Sequence, residues 1–176
     1  VSGYLNRPDA TSEAWDSDGW FHTGDIGEVD EDMHLRITDR KKDLIKTSGG
    51  KYVAPQKIEA LLKTKPILSE AVVIGDGRKY CVALVTVDKE KLAAWAQRTG
   101  NAPDLKSDAV QKEVQGYLDE INKDLASFES IKYFRIVPEE FSVDNGMLTA
   151  SFKVKRKEVN KRYKDLIDSM FPAGKE

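Results

Sequence analysis

Five basic residues and two adjacent glycines fall within residues 38–51 of a chain whose formal net charge is only -2. The basic residues are Arg40, Lys41, Lys42, Lys46 and Lys51, and the glycines are Gly49 and Gly50. Lys and Arg donate hydrogen bonds to anions, and Gly allows a phosphate to approach the main chain. A charged run is also typical of a solvated loop. From this segment alone, an anion site and a solvated loop are equally open.

A carboxylate follows an aromatic segment, Trp20–Phe21, in the sequence Thr23-Gly24-Asp25. At the end of a strand and beside a glycine turn, the Asp25 carboxylate can accept two hydrogen bonds from the neighbouring hydroxyls of a ribose. An ordinary turn aspartate is the alternative, because so short a motif is weak. Arg40 follows the next predicted strand, so we expect it near Asp25, where it pairs with the carboxylate or shares its ligand.

A lysine near the C-terminus lies between an acidic loop and the last predicted helix. Lys153 belongs to a basic stretch that continues through Lys155, Arg156 and Lys157. A lysine on a mobile segment can be delivered to an oxyanion, which suits the charge that develops in acyl or phosphoryl transfer. The alternative is a positively charged first helical turn, which the helix dipole disfavours.

Several common chemistries are excluded or disfavoured. The basic segment fails as a Walker A loop, because Ile45 and Tyr52 stand where Gly and Ser or Thr are required. His22 and His34 lack metal-ligand spacing, and no Gly-x-Ser-x-Gly motif occurs. A pI near 5.8 leaves no general basic field for nucleic acid. The single cysteine, Cys81, lies in an apolar run and is expected to be a buried thiol. No apolar stretch approaches the roughly 20 residues of a membrane span.

Hydrophobic periodicity and turn residues predict the elements that position these side chains. They are a loop with a helical turn over residues 1–20, a hairpin of strands Trp20–Val29 and Met33–Asp39, a basic loop to Val53, a helix from Pro55 to Pro66, a hairpin of Ala71–Ile74 and Cys81–Val87, a helix capped by Asp88, a helix capped by Ser107 with apolar positions through Leu125, a strand Ile131–Val137 and a single last helix from about Lys155. The order predicts an α+β fold in two layers, with helices packed on a small mixed sheet.

Three of these motifs, in this order and spacing, resemble the last core motifs of the adenylate-forming, AMP-binding acyl-CoA synthetases. They are residues 19–25 (GWFHTGD), residues 39–55 (DRKKDLIKTSGGKYVAP) followed by Ile58-Glu59, and residues 148–156 (LTASFKVKR). The long-chain fatty acid:CoA ligase branch is the most similar, because of Phe152-Lys153-x-Lys155-Arg156 and a helical insertion near residues 105–127. The resemblance covers nearly the whole chain.

The resemblance implies that a carboxylic acid reacts with ATP to give an acyl-adenylate and pyrophosphate, after which CoA displaces AMP. It assigns Asp25 and Arg40 to the ribose of the nucleotide and Lys42 to a hinge between two arrangements of the C-terminal domain. Lys46 and Gly49 would face the active site and CoA during thioester formation.

The resemblance makes Lys153 the adenylation lysine, which bridges the acyl carboxylate and the α-phosphate. The commoner form of the last motif has Gly directly before its Lys, whereas this chain has Phe152. The alignment at this motif is therefore open to a shift, and Lys155 is the alternative residue for the role.

The resemblance also implies a division into residues 1–41, the hairpin end of a large AMP-binding domain, and residues 42–176, the mobile C-terminal domain. The missing N-terminal domain would supply the phosphate loop, the adenine pocket, the ligands of the Mg²⁺ that accompanies ATP, and the acyl tunnel. The chain opens on Val1 rather than Met, which also predicts a piece of a longer protein.

The expected partners are therefore the missing domain, a fatty acid and CoA, without nucleic acid, and the isolated chain should be inactive. The expected location is cytoplasmic, with peripheral association with the inner face of a membrane left open. Two alternatives remain: an adenylation module that passes the acyl group to a carrier-protein thiol, and a non-catalytic domain-binding module.

Overall fold

A computed structural model describes residues 3–172, which form two compact units that meet in sequence between Leu44 and Ile45. The first unit contains helix α1 (Pro8–Ala14) and an antiparallel hairpin of strands β1 (Asp25–Val29) and β2 (Leu35–Arg40). A 3-10 helix, Lys41–Asp43, follows β2 directly. The predicted hairpin is confirmed, with shorter strands than the sequence indicated.

The aromatic segment before Asp25 is not part of this hairpin, so the prediction of a strand beginning at Trp20 is wrong. The Phe21 ring packs against Trp15, with 5.1 Å between the ring centroids. The amide of His22 donates to the carbonyl of Ala14 over 2.7 Å. These contacts fold the segment back onto the end of α1, and Asp25 therefore begins β1 rather than ending an aromatic strand.

The second unit contains the remaining elements. They are β3 (Ile45–Lys46), β4 (Tyr52–Val53), α2 (Pro55–Lys63), β5 (Leu68–Ile74), β6 (Cys81–Val87), α3 (Lys89–Thr99), α4 (Asp108–Asn122), β7 (Ile131–Ile136), α5 (Arg156–Arg162) and α6 (Lys164–Asp168). Strands β5, β6 and β7 form one sheet in that order, with β5 antiparallel and β7 parallel to β6. The predicted α+β fold with helices on a small mixed sheet is confirmed.

Both faces of this sheet are covered, which explains the continuous apolar runs of its strands. Because side chains alternate across a strand, Val73, Ala83 and Val85 belong to one buried cluster, with residues of α2, α3 and α4. Leu84 belongs to the cluster on the opposite face, with Val159 of α5 and other residues of the C-terminal segment. The sheet is thus a rigid base for the loops that leave its edges.

The helix starts follow the predicted caps. The Asp88 carboxylate accepts hydrogen bonds from the amides of Glu90 and Lys91 at the start of α3. The Ser107 hydroxyl accepts from the amide of Val110 at the start of α4. Helix α4 ends at Asn122, so the predicted apolar position Leu125 lies beyond the helix, although it still packs against the core.

The predicted single C-terminal helix is divided in two. Tyr163, with φ -107° and ψ 24°, separates α5 from α6. Its hydroxyl donates to Glu139 over 2.9 Å, and Arg162 pairs with the same carboxylate. Burial and this hydrogen bond raise the pKa of Tyr163 to about 12. The Tyr163–Glu139 contact therefore anchors the break between the two helices to the loop after β7.

Candidate functional site

Asp25 and Arg40 lie opposite each other at the open end of the hairpin. They are register partners in β1 and β2, and Arg40 Nε lies 2.7 Å from Asp25 Oδ1. The main chain fixes this end of the hairpin, because the amide of Lys41 donates to the carbonyl of Gly24 over 2.8 Å. The carboxylate is about one quarter exposed and the guanidinium about half exposed. Both groups therefore retain hydrogen-bonding capacity for a polar ligand.

Lys42 lies in the middle of the 3-10 helix that follows β2, with its side chain exposed. Within residues 3–172, its ammonium forms no ion pair. The next residue but one, Leu44, is the last residue of the first compact unit. Lys42 thus lies within the first unit, two residues before its last residue, whereas its role as a hinge stays a prediction.

Lys46 and Gly49 lie on a short hairpin, β3–β4, at the start of the second unit. Lys46 pairs with Tyr52, and its ammonium lies 5.8 Å from the centroid of that ring. The main chain of Lys46 is held by the β5–β6 turn, since its amide donates to Asp76 over 3.1 Å and its carbonyl accepts from Gly77 over 2.8 Å. The Lys46 side chain is therefore exposed, while hydrogen bonds hold its backbone in place.

The turn that joins β3 to β4 is closed by Thr47. Its amide donates to the carbonyl of Lys51 over 2.9 Å, and its hydroxyl oxygen accepts from the amide of Lys51 over 3.1 Å. Gly50 closes the turn with φ +75°, a conformation that favours glycine. Gly49 is exposed, and a Cβ there would have only the Thr47 hydroxyl within reach, at 4.0 Å. The turn therefore presents open backbone beside Lys46.

Lys153 ends a second turn with the same bonding pattern. The amide of Thr149 donates to the carbonyl of Lys153 over 2.8 Å, and its hydroxyl oxygen accepts from the amide of Lys153 over 3.1 Å. A bridge between Leu148 and Val154 closes this turn, as the β3–β4 pairing closes the first. Within residues 3–172, the Lys153 ammonium forms no ion pair. The fold thus holds the backbone of Lys153 and leaves its charge available.

Phe152 occupies the position in the second turn that Gly50 occupies in the first. Its φ is +57°, and its amide donates to the carbonyl of Thr149 over 2.9 Å, as Gly50 donates to Thr47. Left-handed backbone costs a residue with a Cβ roughly 1–2 kcal/mol. The side chain is 72% exposed. The turn geometry therefore accounts for a glycine at this position and does not account for an exposed phenylalanine.

Sequence reasoning missed an ion pair that fixes the end of this segment. Arg156, the first residue of α5, lies 2.5 Å from Glu59 of α2. Glu59 also accepts a hydrogen bond from the amide of Val73 in β5 over 2.7 Å. A positively charged first helical turn was the alternative interpretation of this basic stretch, and Arg156 does begin α5, where its charge is paired with Glu59. The 97-residue separation left no local signal of the pair.

Cys81 is fully buried in β6, as predicted. Burial, with a smaller contribution from Glu129, raises the pKa of its thiol to about 11. Full burial and a raised pKa are typical of a structural cysteine rather than of a reactive one.

Residues 42–175, most of the chain, match the model of one protein family, the AMP-binding enzyme C-terminal domain. The chain belongs to this family. It is 42% identical over 176 residues to the long-chain-fatty-acid–CoA ligase FadD15 of Mycobacterium tuberculosis, with 97% of this chain and 29% of the relative covered. It is 39% identical to long-chain-fatty-acid–CoA ligase 1 of Cavia porcellus, with 96% and 25% covered.

Solved structures of adenylation domains share the fold. The adenylation domain of carboxylic acid reductase from Segniliparus rugosus, in complex with AMP and a co-purified carboxylic acid, has a TM-score of 0.75 and 31% identity, with 96% of this chain and 26% of that chain covered. This AMP-binding enzyme C-terminal domain, with the hairpin before it, therefore spans less than a third of the proteins that it resembles.

Proposed function

We propose that this chain is the C-terminal part of an AMP-forming ligase that activates a long-chain fatty acid with ATP and transfers the acyl group to CoA. The observation that carries the proposal is that the relatives matched over 96–97% of the chain are named long-chain-fatty-acid–CoA ligases. The hairpin supports it, because Val29, Leu35 and Ile37 are more than half exposed, as expected of a strand pair completed by a larger domain.

The residues of the first unit serve the nucleotide in this proposal. Asp25 accepts hydrogen bonds from the ribose hydroxyls, and Arg40, paired to the same carboxylate, orients it. Lys42 is the hinge about which the second unit turns between the two half-reactions. Residues 3–172 contain no group of three His, Cys, Asp or Glu side chains arranged to hold a metal ion. The Mg²⁺ that accompanies ATP is assigned to the part of the enzyme outside this chain.

The residues of the second unit divide between the half-reactions. Lys153 brings its ammonium to the oxygens between the acyl carboxylate and the α-phosphate, where negative charge develops as the adenylate forms. Lys46 and Gly49 serve the second step, in which the thiol of CoA attacks the acyl carbonyl and AMP leaves. Open backbone at Gly49 permits close approach of the CoA arm, and the adjacent Lys46 supplies charge.

A carrier-protein thiol is a second candidate acceptor, favoured by the structural likeness to the A-PCP didomain of carboxylic acid reductase from Segniliparus rugosus. The higher identity to CoA ligases favours CoA. Turnover of acyl-adenylate with CoA, set against turnover with a phosphopantetheinylated carrier domain, distinguishes the two acceptors.

The test measures the two half-reactions separately in the full-length enzyme. Lys153→Ala should lower pyrophosphate release from ATP and a long-chain fatty acid by about 10²–10³-fold, the usual effect of losing a group that stabilises an oxyanion. It should leave thioester formation from supplied acyl-AMP within twofold. Lys46→Ala should do the reverse.

Lys155 is the matched control, because it is exposed two residues further on and its amide is held by the carbonyl of Met147. Lys155→Ala should keep most adenylation activity. Equal loss of both half-reactions in Lys153→Ala, or a larger adenylation defect in Lys155→Ala, would contradict the assignment.

No helix within residues 3–172 has the length and apolar composition needed to span a membrane. A cytoplasmic location and peripheral contact with a membrane stay part of the proposal. Co-sedimentation of the full-length enzyme with anionic vesicles measures that contact.

A further inference from the structure

Phe152 is the one feature of the Lys153 turn that the fold of the second unit leaves unexplained. Its ring is 72% exposed and belongs to neither buried cluster of the described residues. Its backbone, at φ +57°, is a conformation that glycine adopts without strain. Gly50 does so at the equivalent position of the Thr47–Lys51 turn. A phenylalanine at this position therefore lowers the stability of the isolated second unit, and burial of its ring does not offset that cost.

Phe152 directly precedes Lys153, the lysine that acts in the active site according to the proposed function. Consecutive Cα atoms lie about 3.8 Å apart, so a surface that receives Lys153 lies within reach of the Phe152 ring. The chain spans 25–29% of the relatives that it matches, so most of such an enzyme lies outside it. That larger part is the body against which the ring can be buried.

Two apolar groups are candidates for contact with the Phe152 ring: the part of the enzyme outside this chain and the alkyl chain of the fatty acid. The chemistry of the substrate distinguishes them. Lys153 is assigned to the carboxylate, and the alkyl chain extends away from that end of the molecule. A ring beside Lys153 reaches at most the first carbons of the chain. Burial of a whole phenylalanine ring requires a protein surface.

We propose that Phe152 is a positioning residue, whose ring docks on an apolar surface of the large AMP-binding domain and stabilises the arrangement in which Lys153 reaches the reactants. The inference rests on the proposed function and concerns the adenylation half-reaction alone. Burial of the ring in that arrangement offsets the strain of the left-handed backbone. The ring contributes nothing to the arrangement used for thioester formation.

The experiment compares Phe152→Gly with Phe152→Met in the full-length enzyme. Phe152→Gly removes the ring and relieves the backbone, so the fold should be at least as stable as the wild type in thermal unfolding. Its kcat for pyrophosphate release should fall about tenfold, with the KM values for ATP and fatty acid unchanged, because the ring contacts neither. Phe152→Met keeps apolar bulk on the same backbone and should retain at least half of the activity.

Two further measurements sharpen the assignment. Thioester formation from supplied acyl-AMP should stay within twofold in Phe152→Gly. The adenylation defect should be the same for a medium-chain acid and a long-chain acid. The same defect in both half-reactions, or full adenylation activity in Phe152→Gly, would overturn the proposal.

A defect that grows with acyl chain length would also overturn it, because the ring would then contact substrate. Failure of the proposed function looks different. The wild type would form no acyl-adenylate from any fatty acid, Lys153→Ala would be indistinguishable from it, and the inference about Phe152 would fall with that function.

Discussion

Removal of the Glu59 carboxylate should be the most damaging single truncation of a polar side chain among those that hold the Lys153 segment. This carboxylate is 13% exposed and joins three elements of the second unit. It accepts the Val73 amide of β5 over 2.7 Å and faces Arg156 of α5 over 2.5 Å. Arg156 donates in addition to the Val73 carbonyl over 3.2 Å. Glu59→Ala therefore affects α2, β5 and α5 together.

The magnitude follows from the groups left behind. A buried amide without an acceptor costs about 1–3 kcal/mol, so the Val73 amide accounts for about 2 kcal/mol. The Arg156 guanidinium is 25% exposed, and loss of its partner adds about 1 kcal/mol once solvent screening is allowed for. The sum is about 3 kcal/mol. For a chain of this length, that lowers the midpoint of thermal unfolding by roughly 10 °C.

Urea unfolding of the 176-residue chain, followed by far-ultraviolet circular dichroism, measures this loss. Glu59→Gln keeps an acceptor for the Val73 amide and should lose about half as much. Lys164→Ala is the control, because its i,i+4 pair with Asp168 is largely exposed and should contribute at most about 0.5 kcal/mol. A Glu59→Ala variant within about 0.5 kcal/mol of the wild type would refute the idea that this carboxylate ties the three elements together.

Two further predictions concern the first turn and the break between α5 and α6. Gly50→Ala should destabilise the chain by about 1 kcal/mol in urea unfolding, because φ +75° is strained for alanine. Gly49→Ala should leave the stability unchanged, because a Cβ at that position would have only the Thr47 hydroxyl within reach, at 4.0 Å, and should be defective only in the thioester half-reaction. Burial and Glu139 raise the pKa of Tyr163 from 10.0 to about 12, so the folded state keeps a proton that the unfolded state releases. The stability contributed by Tyr163 is therefore complete below about pH 10 and is lost as the pH rises towards about 12. In the wild type, the urea concentration at the unfolding midpoint should fall across that pH range, and Tyr163→Phe should make this fall smaller.

Local signals predicted the regular elements of the second unit well. Asp88 and Ser107 mark helix starts because a short polar side chain can accept the orphan amides of a first turn within three residues. The β5–β6 hairpin was predicted for a similar reason, since a glycine-rich turn separates two β-branched runs. The strand expected at Trp20 failed because the ring contact between Phe21 and Trp15 competes with strand pairing, and sequence periodicity carries no information on that contact.

In the candidate site, too, the local contact was predicted from the sequence and the long-range contact was not. The Asp25–Arg40 contact was predicted, because a hairpin brings the start of one strand beside the end of the next. The Glu59–Arg156 pair was not predicted, because its partners meet only through the packing of α2 and the C-terminal segment on the sheet. Long-range pairing of this kind depends on the whole fold. The motif resemblance marked Glu59 without showing its partner.

The two Thr-x-x-x-Lys turns bear on which lysine the second turn presents. In each, the threonine amide and hydroxyl hold the lysine backbone four residues later, and the residue before the lysine takes a left-handed φ. Glycine adopts a left-handed φ without strain. Phe152 does not, and the second turn nevertheless keeps this geometry. Lys155, by contrast, is the residue directly before α5, and its amide donates to the carbonyl of Met147 over 2.8 Å. The turn thus has one register, which favours Lys153 over Lys155 as the lysine delivered to the reacting oxygens, and the Lys155→Ala control is the measurement that separates them.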